Sequence, residues 1–268
     1  MKQILYSDLD KTLLINEDGQ LKVSKQNIDS VKEFVSKGNL FGIATGRNIL
    51  QTKSFVKDLL PYINLPFVVG NGSLLYDAKT NEKIFESLIP KEFLLAFLSF
   101  YKTRNDFILV LATIDDYLVL MPDQFDHLPV VDFPSTLINE EDIFNYSINK
   151  VMAYINPLDF EVIEKDIRNF IAPFNMNLEP SEKKFIEIIN ANIDKASGIT
   201  EAIKYLGLKT YELNTIGDFY NDISMLKLAH YSAAPSDADK RVKEIVDYIV
   251  KPHDKGAVSD FINIILKR

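Results

Sequence analysis

The chain contains no cysteine, which excludes disulfides and thiolate metal sites. It also lacks a long apolar run, because stretches such as FLLAFLSF at residues 93–100 are much too short to span a bilayer. The first residues, MKQILYSDLD, have too short an apolar run for a signal peptide. From these absences we expect a soluble, cytoplasmic protein.

A net positive charge is missing as well. Lys and Arg number 30 against 38 Asp and Glu, which gives a formal net charge of −8. Basic patches supply most of the affinity for nucleic acids and membrane surfaces, so we expect neither as a partner. An anionic substrate is still compatible with this charge, since a bound divalent cation inverts the charge at one site.

The length of 268 residues and the 47% hydrophobic content allow one large domain or two modest ones. Strand and helix patterns alternate at the start of the chain. The strands are QILYSDLD, LFGIATG and PFVVGNG; the helices are the segment capped by Ser24 and NILQTKSFVKDLL at residues 48–60. This order predicts an α/β fold with a doubly wound parallel sheet.

The pattern changes after about Asp77, where strands, hairpins and helices are mixed. We predict one hairpin over residues 107–122, turning at Asp115-Asp116, and a second over residues 176–190. Alternation resumes near Asp194, and both RVKEIVDYIV (241–250) and AVSDFINIIL (257–266) have helical spacing. We therefore predict a core domain built from residues 1–80 and 190–268, with an α+β domain of residues 81–189 inserted into it.

Polar stretches follow four of the predicted core strands. They are DLDKT (8–12), ATGR (44–47), GNG (70–72) and GDFYND (217–222). In open α/β sheets, ligands bind outside the carboxyl ends of the strands, so these stretches should meet in one crevice. Lys195, near the start of a core helix, is placed to reach the same crevice.

The carboxylates of these stretches predict a magnesium site. Asp8 and Asp10 are two apart in an extended chain and point the same way, which is costly without a cation or a shared proton. Asp218 and Asp222 add further oxygen ligands, and the three histidines lie elsewhere. Oxygen ligands of this kind suit Mg²⁺.

Three other side chains of the crevice suit a phosphoryl group. Thr45, Lys195 and Asn221 offer a hydroxyl, an ammonium and an amide. These are the groups that hold the oxygens of a phosphoryl group during its transfer.

Taken together, these motifs resemble the haloacid dehalogenase (HAD) superfamily of phosphohydrolases. Within it, the sequence is similar to the Cof-type, class IIB phosphatases, which carry a large α+β cap. The resemblance covers essentially the whole chain. It is carried by DLDKT, by Thr45 in IATGR, by Lys195 in DKASGI, by GDFYND, by Asn71-Gly72, and by the tail PHDKGAVSDFI.

The resemblance implies a role for each motif residue. Asp8 would be the nucleophile that forms an aspartyl-phosphate, and Asp10 the acid and base. The metal ligands would be the carboxylate of Asp8, the backbone carbonyl of Asp10, Asp218, and Asp222 directly or through water. The implied phosphate ligands are Thr45, Gly46, Lys195 and Asn221. Possible substrate-binding residues are Arg47 and Asn71.

Simpler interpretations exist for several of these residues. Asn71-Gly72 is also typical of a tight turn, and Arg47 is equally suited to pair with a nearby carboxylate. Lys11 stands where the family often has glycine, with a side chain free to point outward. His127 and Tyr117 are assigned to the cap without a catalytic role.

The leading hypothesis is a Mg²⁺-dependent phosphatase that hydrolyses a small phosphorylated metabolite, a sugar phosphate or a related phosphate monoester. One alternative is a phosphomutase or phosphotransferase of the same superfamily. Another is a non-enzymatic phospho-acceptor that resembles a response-regulator receiver. Dinucleotide binding is disfavoured, since no G-x-G-x-x-G opens a helix after a strand. The sequence makes no prediction of the oligomeric state.

Overall fold

A computed structural model describes residues 2–77, 79–104, 106–120, 134–181 and 184–268. His127 and the end of the hairpin predicted at 107–122 lie outside the described residues. The chain divides into two compact units. One comprises the residues up to Phe85 together with Asp194–Arg268, and the other is Glu86–Ile193.

The first part of the chain is an alternation of strands and helices. Its elements are β1 (Lys2–Ser7), β2 (Leu14–Glu17), β3 (Gln20–Val23), α1 (Lys25–Ser36), β4 (Leu40–Ile43), α2 (Ile49–Phe55), β5 (Phe67–Val69), β6 (Leu74–Asp77) and β7 (Glu82–Glu86). Ser24 caps α1 as predicted, since its side chain accepts a hydrogen bond from the Asn27 amide.

Two local features differ from the sequence prediction. Helix α2 ends at Phe55, not at residue 60, and Pro61 lies in a separate 3₁₀ turn at Leu60–Tyr62. The hairpin β2–β3 was missed, although Asp18-Gly19 at its turn is a strong hairpin signal. Both turn residues have positive φ, 54° and 81°, as a type I′ turn requires.

In its described residues, the Glu86–Ile193 unit contains a six-stranded sheet and two α-helices. Its elements are α3 (Lys91–Tyr101), β8 (Phe107–Ala112), β9 (Tyr117–Leu120), β10 (Thr136–Leu137), β11 (Lys150–Ile155), α4 (Phe160–Ile171), β12 (Met176–Ser181) and β13 (Phe185–Asn190). The strand order is β10-β9-β8-β11-β13-β12. Phe93 and Phe97 of α3 share one apolar core with Ile163 and Ile167 of α4 and with the inner side of the sheet.

The last part of the chain returns to the first unit. Its elements are α5 (Lys195–Tyr205), β14 (Tyr211–Ile216), α6 (Ile223–Leu228), β15 (Tyr231–Pro235), α7 (Lys240–Lys243), β16 (Tyr248–Val250) and α8 (Ala257–Ile265). The helix predicted for residues 241–250 is wrong. Only its start is helical, and Tyr248–Val250 pairs in parallel with Ala233–Pro235. Residues Tyr248–Val250 make backbone hydrogen bonds to β15 where a continued helix would have made its own.

The main sheet has the order β16-β15-β14-β1-β4, and every pair in it is parallel. A parallel bridge between Ala44 and Val68 places β5 next to β4. The carboxyl ends of β1, β4, β5 and β14 therefore lie at one edge of the structure. This arrangement confirms the predicted α/β fold.

The described helices are short. The longest, α1 and α4, have 12 residues each. Within the described part of the chain, no helix has the length and hydrophobicity that crossing a bilayer requires.

Candidate active site

Strand pairing brings Asp8 and Asp218 together. The Asp8 amide donates to the Ile216 carbonyl at 3.0 Å and extends the β1–β14 ladder by one residue. Asp218 comes two residues after Ile216, and its Oδ1 accepts a hydrogen bond of 3.2 Å from the Thr12 hydroxyl. The first and fourth motifs thus meet because their strands are neighbours in the sheet.

Three carboxylates form a buried cluster at this point. Oxygen atoms of Asp8, Asp218 and Asp222 all lie within 4.8 Å of one another. Like charges this close are unfavourable in a buried place, and a divalent cation would offset their repulsion. Since every donor atom of the cluster is a carboxylate oxygen, the site fits Mg²⁺.

Lys195 supplies a positive charge to the same cluster. Asp194 caps α5 by accepting from the Ser197 amide, and this fixes the first turn in which Lys195 lies. The ammonium of Lys195 donates to Oδ1 of Asp8 and to Oδ1 of Asp222, each at 2.6 Å. Because Lys195 is 0% exposed, neither interaction is screened by solvent.

Asp222 uses both of its carboxylate oxygens within the protein. While Oδ1 accepts from Lys195, Oδ2 accepts from the amides of Asp218 and Phe219 at 2.8 and 3.0 Å. Asp222 thus holds the backbone of the loop that carries Asp218.

Burial and charge change the protonation of the cluster. Burial is the main cause that raises the pKa of Asp8 to about 7; the charges of Asp222 and Asp10 add to it, and Lys195 opposes it. Burial and the charge of Asp8 likewise raise the pKa of Asp218. Burial lowers the pKa of Lys195, but Asp222 and Asp8 outweigh it, and the net shift is upward.

Asp10 has a different partner from Asp8. The guanidinium of Arg47 donates to both carboxylate oxygens of Asp10, through two hydrogen bonds of 2.7 Å. The Arg47 guanidinium also lies 4.6 Å from the centre of the Phe55 ring. The side chain of Asp10 is 42% exposed and its carboxylate is not part of the three-carboxylate cluster. Its carboxylate is therefore accessible to solvent, although its charge still acts on Asp8.

The second motif lies on the loop after β4. The Thr45 amide donates to the Val68 carbonyl at 2.8 Å, and its buried hydroxyl accepts from the Arg47 amide at 3.2 Å. Gly46 is packed closely, since a Cβ there would lie 3.0 Å from Oδ1 of Asn71. That same oxygen of Asn71 accepts a hydrogen bond of 3.0 Å from the amide of Asn221. The structure therefore connects four of the predicted residues: Thr45, Gly46, Asn71 and Asn221.

Lys11 has a left-handed backbone, with φ of 53°, and an exposed side chain. Glycine adopts this conformation at no steric cost, which gives a physical reason for the family's preference at this position.

Sequence reasoning missed a set of residues that support the fourth motif. The Asp239 amide donates to the Asp218 carbonyl at 3.0 Å, and Asp239 accepts a hydrogen bond of 3.2 Å from the Tyr220 hydroxyl. Arg241 lies 3.5 Å from the centre of the Tyr220 ring. Asp239 and Arg241 follow β15, whose sequence YSAAP gave no clear strand pattern. Recognising β15 as a neighbour of β14 would have pointed to its loop.

Comparison with known proteins agrees with the motif pattern. A sequence model of haloacid dehalogenase-like hydrolases matches residues 5–262. The chain is 26% identical to the 5-amino-6-(5-phospho-D-ribitylamino)uracil phosphatase YwtE of Bacillus subtilis, over 97% of this chain and 96% of that protein. It is also 26% identical to the chloroplastic endoribonuclease YBEY of Arabidopsis thaliana, where the match covers 96% of this chain but spans only 45% of the relative.

A solved structure shows the same architecture. The HAD subclass IIB sugar phosphatase BT4131 has a TM-score of 0.81 and 25% sequence identity to this chain. The match covers 98% of this chain and 99% of that one. Because the match covers nearly all of both chains, it includes the Glu86–Ile193 unit.

Proposed function

The chain belongs to the haloacid dehalogenase-like hydrolase family, and from this premise we propose that it is a Mg²⁺-dependent phosphatase of small phosphate monoesters. The observation that carries the proposal is the buried group of Asp8, Asp218 and Asp222 around the ammonium of Lys195. A carboxylate nucleophile beside a cation site is the arrangement that phosphoryl transfer to the protein needs.

Asp8 is the proposed nucleophile. One of its carboxylate oxygens attacks phosphorus, the bond from phosphorus to the leaving oxygen breaks, and an aspartyl-phosphate results. The attacking carboxylate must be ionised. Burial raises the pKa of Asp8 to about 7, even though Lys195 acts to lower it. Further positive charge at the site therefore favours the ionised, reactive carboxylate.

Asp10 is the proposed acid and base. Its proton goes to the leaving alcohol in the first step. In the second step, the carboxylate takes a proton from the water that attacks phosphorus, which releases inorganic phosphate and restores Asp8. The Asp10 carboxylate is not one of the three clustered carboxylates and its side chain is 42% exposed, which supports this separate task.

The residues proposed to hold Mg²⁺ are the carboxylates of Asp8 and Asp218, the backbone carbonyl of Asp10, and Asp222 directly or through water. The ion supplies positive charge that neutralises the phosphoryl oxygens and favours the ionised carboxylates. The three hydrogen bonds that Asp222 accepts favour contact through water for this residue.

Thr45, Gly46, Lys195 and Asn221 are the proposed phosphate ligands. A hydroxyl, a backbone amide, an ammonium and a side-chain amide can all donate to phosphoryl oxygens, and donors fixed before the reaction need no reorganisation during it. The hydrogen bonds of Thr45, Lys195 and Asn221 to protein groups fix these side chains.

Two relatives suggest the substrate class. One is a sugar phosphatase, and the other acts on a phosphoribitylamino-uracil, whose phosphate is joined to a polyol chain. We therefore place phosphate monoesters of sugars and polyols first. The unit that comprises the residues up to Phe85 and Asp194–Arg268 would supply the chemistry.

The experiment is a panel of sugar, polyol and nucleotide monophosphates, assayed for phosphate release with Mg²⁺ and with EDTA. We expect release that needs Mg²⁺ and is abolished by Asp8→Asn. Asp29→Asn, on the exposed surface of α1, is the matched control and should keep full activity.

Other products would contradict the proposal in distinguishable ways. Transfer of phosphate to a second sugar hydroxyl, tested with a bisphosphate present, would indicate a mutase. A stable phosphoprotein without turnover would indicate a phospho-acceptor. Full activity of Asp8→Asn would exclude the proposed nucleophile.

A further inference from the structure

The turn after β5 contains a strained and buried asparagine. Asn71 has a left-handed backbone, with φ of 55° and ψ of 35°, and is only 1% exposed. Asparagine tolerates this conformation better than most residues, but it remains sparsely populated. Burial of an amide in such a turn calls for contacts that hold it.

The backbone of this turn is tied to the loop of the second motif. The Asn71 amide donates to the Thr45 carbonyl at 3.0 Å, and the Gly70 amide donates to the Arg47 carbonyl at 2.9 Å. A side chain at Gly46 would press on Oδ1 of Asn71 from a Cβ only 3.0 Å away. These contacts join the turn to the Thr45 loop.

The side chain of Asn71 reaches the loop of the fourth motif. Oδ1 of Asn71 accepts a hydrogen bond of 3.0 Å from Nδ2 of Asn221, a residue far along the chain. An asparagine amide carries two N–H donors, so this contact engages one of them and fixes the plane of the group.

The next residue in the turn touches the third motif. Gly72 has φ of 95°, and a Cβ there would lie 2.1 Å from the carbonyl oxygen of Asp194, directly before Lys195. The turn thus contacts all three segments that carry the proposed phosphate ligands: Thr45-Gly46, Lys195 and Asn221.

We propose that Asn71 is a positioning residue rather than a substrate ligand, and that it aims the second N–H of Asn221 at the phosphoryl group. This inference rests on the proposed function, since it needs a phosphate at the site. Asn71 acts on the phosphate through Asn221 in this view, so removal of its side chain should weaken phosphate binding in a way that depends on Asn221.

Asn71→Gly is the variant that tests this. Glycine removes the side chain and accepts the left-handed backbone without strain. Asn81→Gly is the matched control, because Asn81 is also an asparagine with positive φ, 59°, but lies in an exposed turn. The measured quantity is the affinity of the Mg²⁺-loaded protein for inorganic phosphate, by isothermal titration calorimetry.

We expect Asn71→Gly to weaken phosphate binding by about fivefold, the effect of one lost hydrogen bond. In an Asn221→Ala background, the same change should cause no further loss. Mg²⁺ affinity should match that of Asn81→Gly. Unchanged phosphate affinity, or an equal loss in both backgrounds, would overturn the inference.

A second measurement does not depend on a variant that folds. In the phosphate-bound wild-type protein, the Asn221 side-chain amide should exchange slowly with solvent in NMR spectra. Exchange as fast as in the exposed Asn81 would overturn the inference. A wild-type protein that neither binds phosphate nor turns over would refute the proposed function itself, which separates the two failures.

Discussion

The ammonium nitrogen of Lys195 lies 2.6 Å from Oδ1 of Asp8, and both side chains are buried. Lys195 bonds Asp222 at the same distance, so one ammonium serves two carboxylates beside the third, Asp218. The cluster therefore contains three carboxyl groups for a single ammonium in a buried place. This imbalance leads to the first two predictions.

Replacement of Lys195 by Met should destabilise the protein strongly. Breaking a buried ion pair by removing one partner costs about 3–5 kcal/mol, because the other charges stay buried without compensation. The measurement is urea unfolding at pH 7 without metal. Lys204→Met, at the exposed end of α5, is the control and should change stability by less than about 0.5 kcal/mol. Equal stability of the two variants would contradict the buried ion pair.

The metal-free protein should lose stability as the pH rises from about 4 to about 7. Burial raises the pKa of Asp8 from 3.8 to about 7 and also raises that of Asp218. A carboxyl with a higher pKa in the folded state binds a proton that unfolding releases. Its contribution is therefore complete below about pH 4 and is lost as the pH rises through about 7, on the order of 4 kcal/mol for Asp8.

Thermal unfolding in EDTA at pH 5 and pH 8 measures this loss. Asp218→Asn removes one of the two carboxyl groups with a raised pKa. The unfolding midpoint of this variant should therefore exceed that of the wild type by more at pH 8 than at pH 5. Added Mg²⁺ should raise the midpoint more at pH 8 than at pH 5, because its ligands must be ionised. A Mg²⁺ effect that is independent of pH would argue against carboxylate ligands.

Asp10→Asn should separate the two chemical steps. With a sugar phosphate, we expect turnover to fall about 10²–10⁴-fold, because the leaving alcohol needs a proton. With p-nitrophenyl phosphate, whose leaving group needs none, we expect a rapid burst of about one equivalent of p-nitrophenol followed by slow turnover. Rapid-quench kinetics measures the burst, and mass spectrometry should find the phosphate on Asp8. Steady turnover at the wild-type rate would rule out Asp10 as the base.

Gly72→Ala should destabilise the protein more than an ordinary glycine-to-alanine substitution. The new Cβ would lie 2.1 Å from the Asp194 carbonyl oxygen, at a backbone φ of 95°. We expect a loss of about 2–4 kcal/mol, from left-handed strain and overpacking combined. Gly207→Ala is the control, since Gly207 also has positive φ, 61°, but nothing lies within 4 Å of its Cβ position. Urea unfolding should show the larger loss at Gly72, and equal losses would exclude the close contact.

Much of the fold could be predicted because its signals are local. Helix α1 is marked by its capping Ser24, and β1 by an apolar run that ends at Asp8. Such signals predicted the parallel α/β fold and, through four motifs in order, the family, and both predictions are confirmed.

The prediction failed where local and tertiary signals disagree. Residues 241–250 have helical spacing, yet Tyr248–Val250 is an edge strand, because β15 offers it a parallel partner. β15 itself was missed, and with it the loop of Asp239 that donates to the Asp218 carbonyl.

The order of the amino acids places carboxylates after β1 and β14 and Thr45 after β4. The partners of the site residues follow from the packed fold: Arg47 pairs with Asp10, Lys195 with both Asp8 and Asp222, and Asn71 with Asn221. The reason is physical. Strand and helix patterns depend on neighbours along the chain, whereas a hydrogen bond between two loops depends on a distance that only the packed sheet sets.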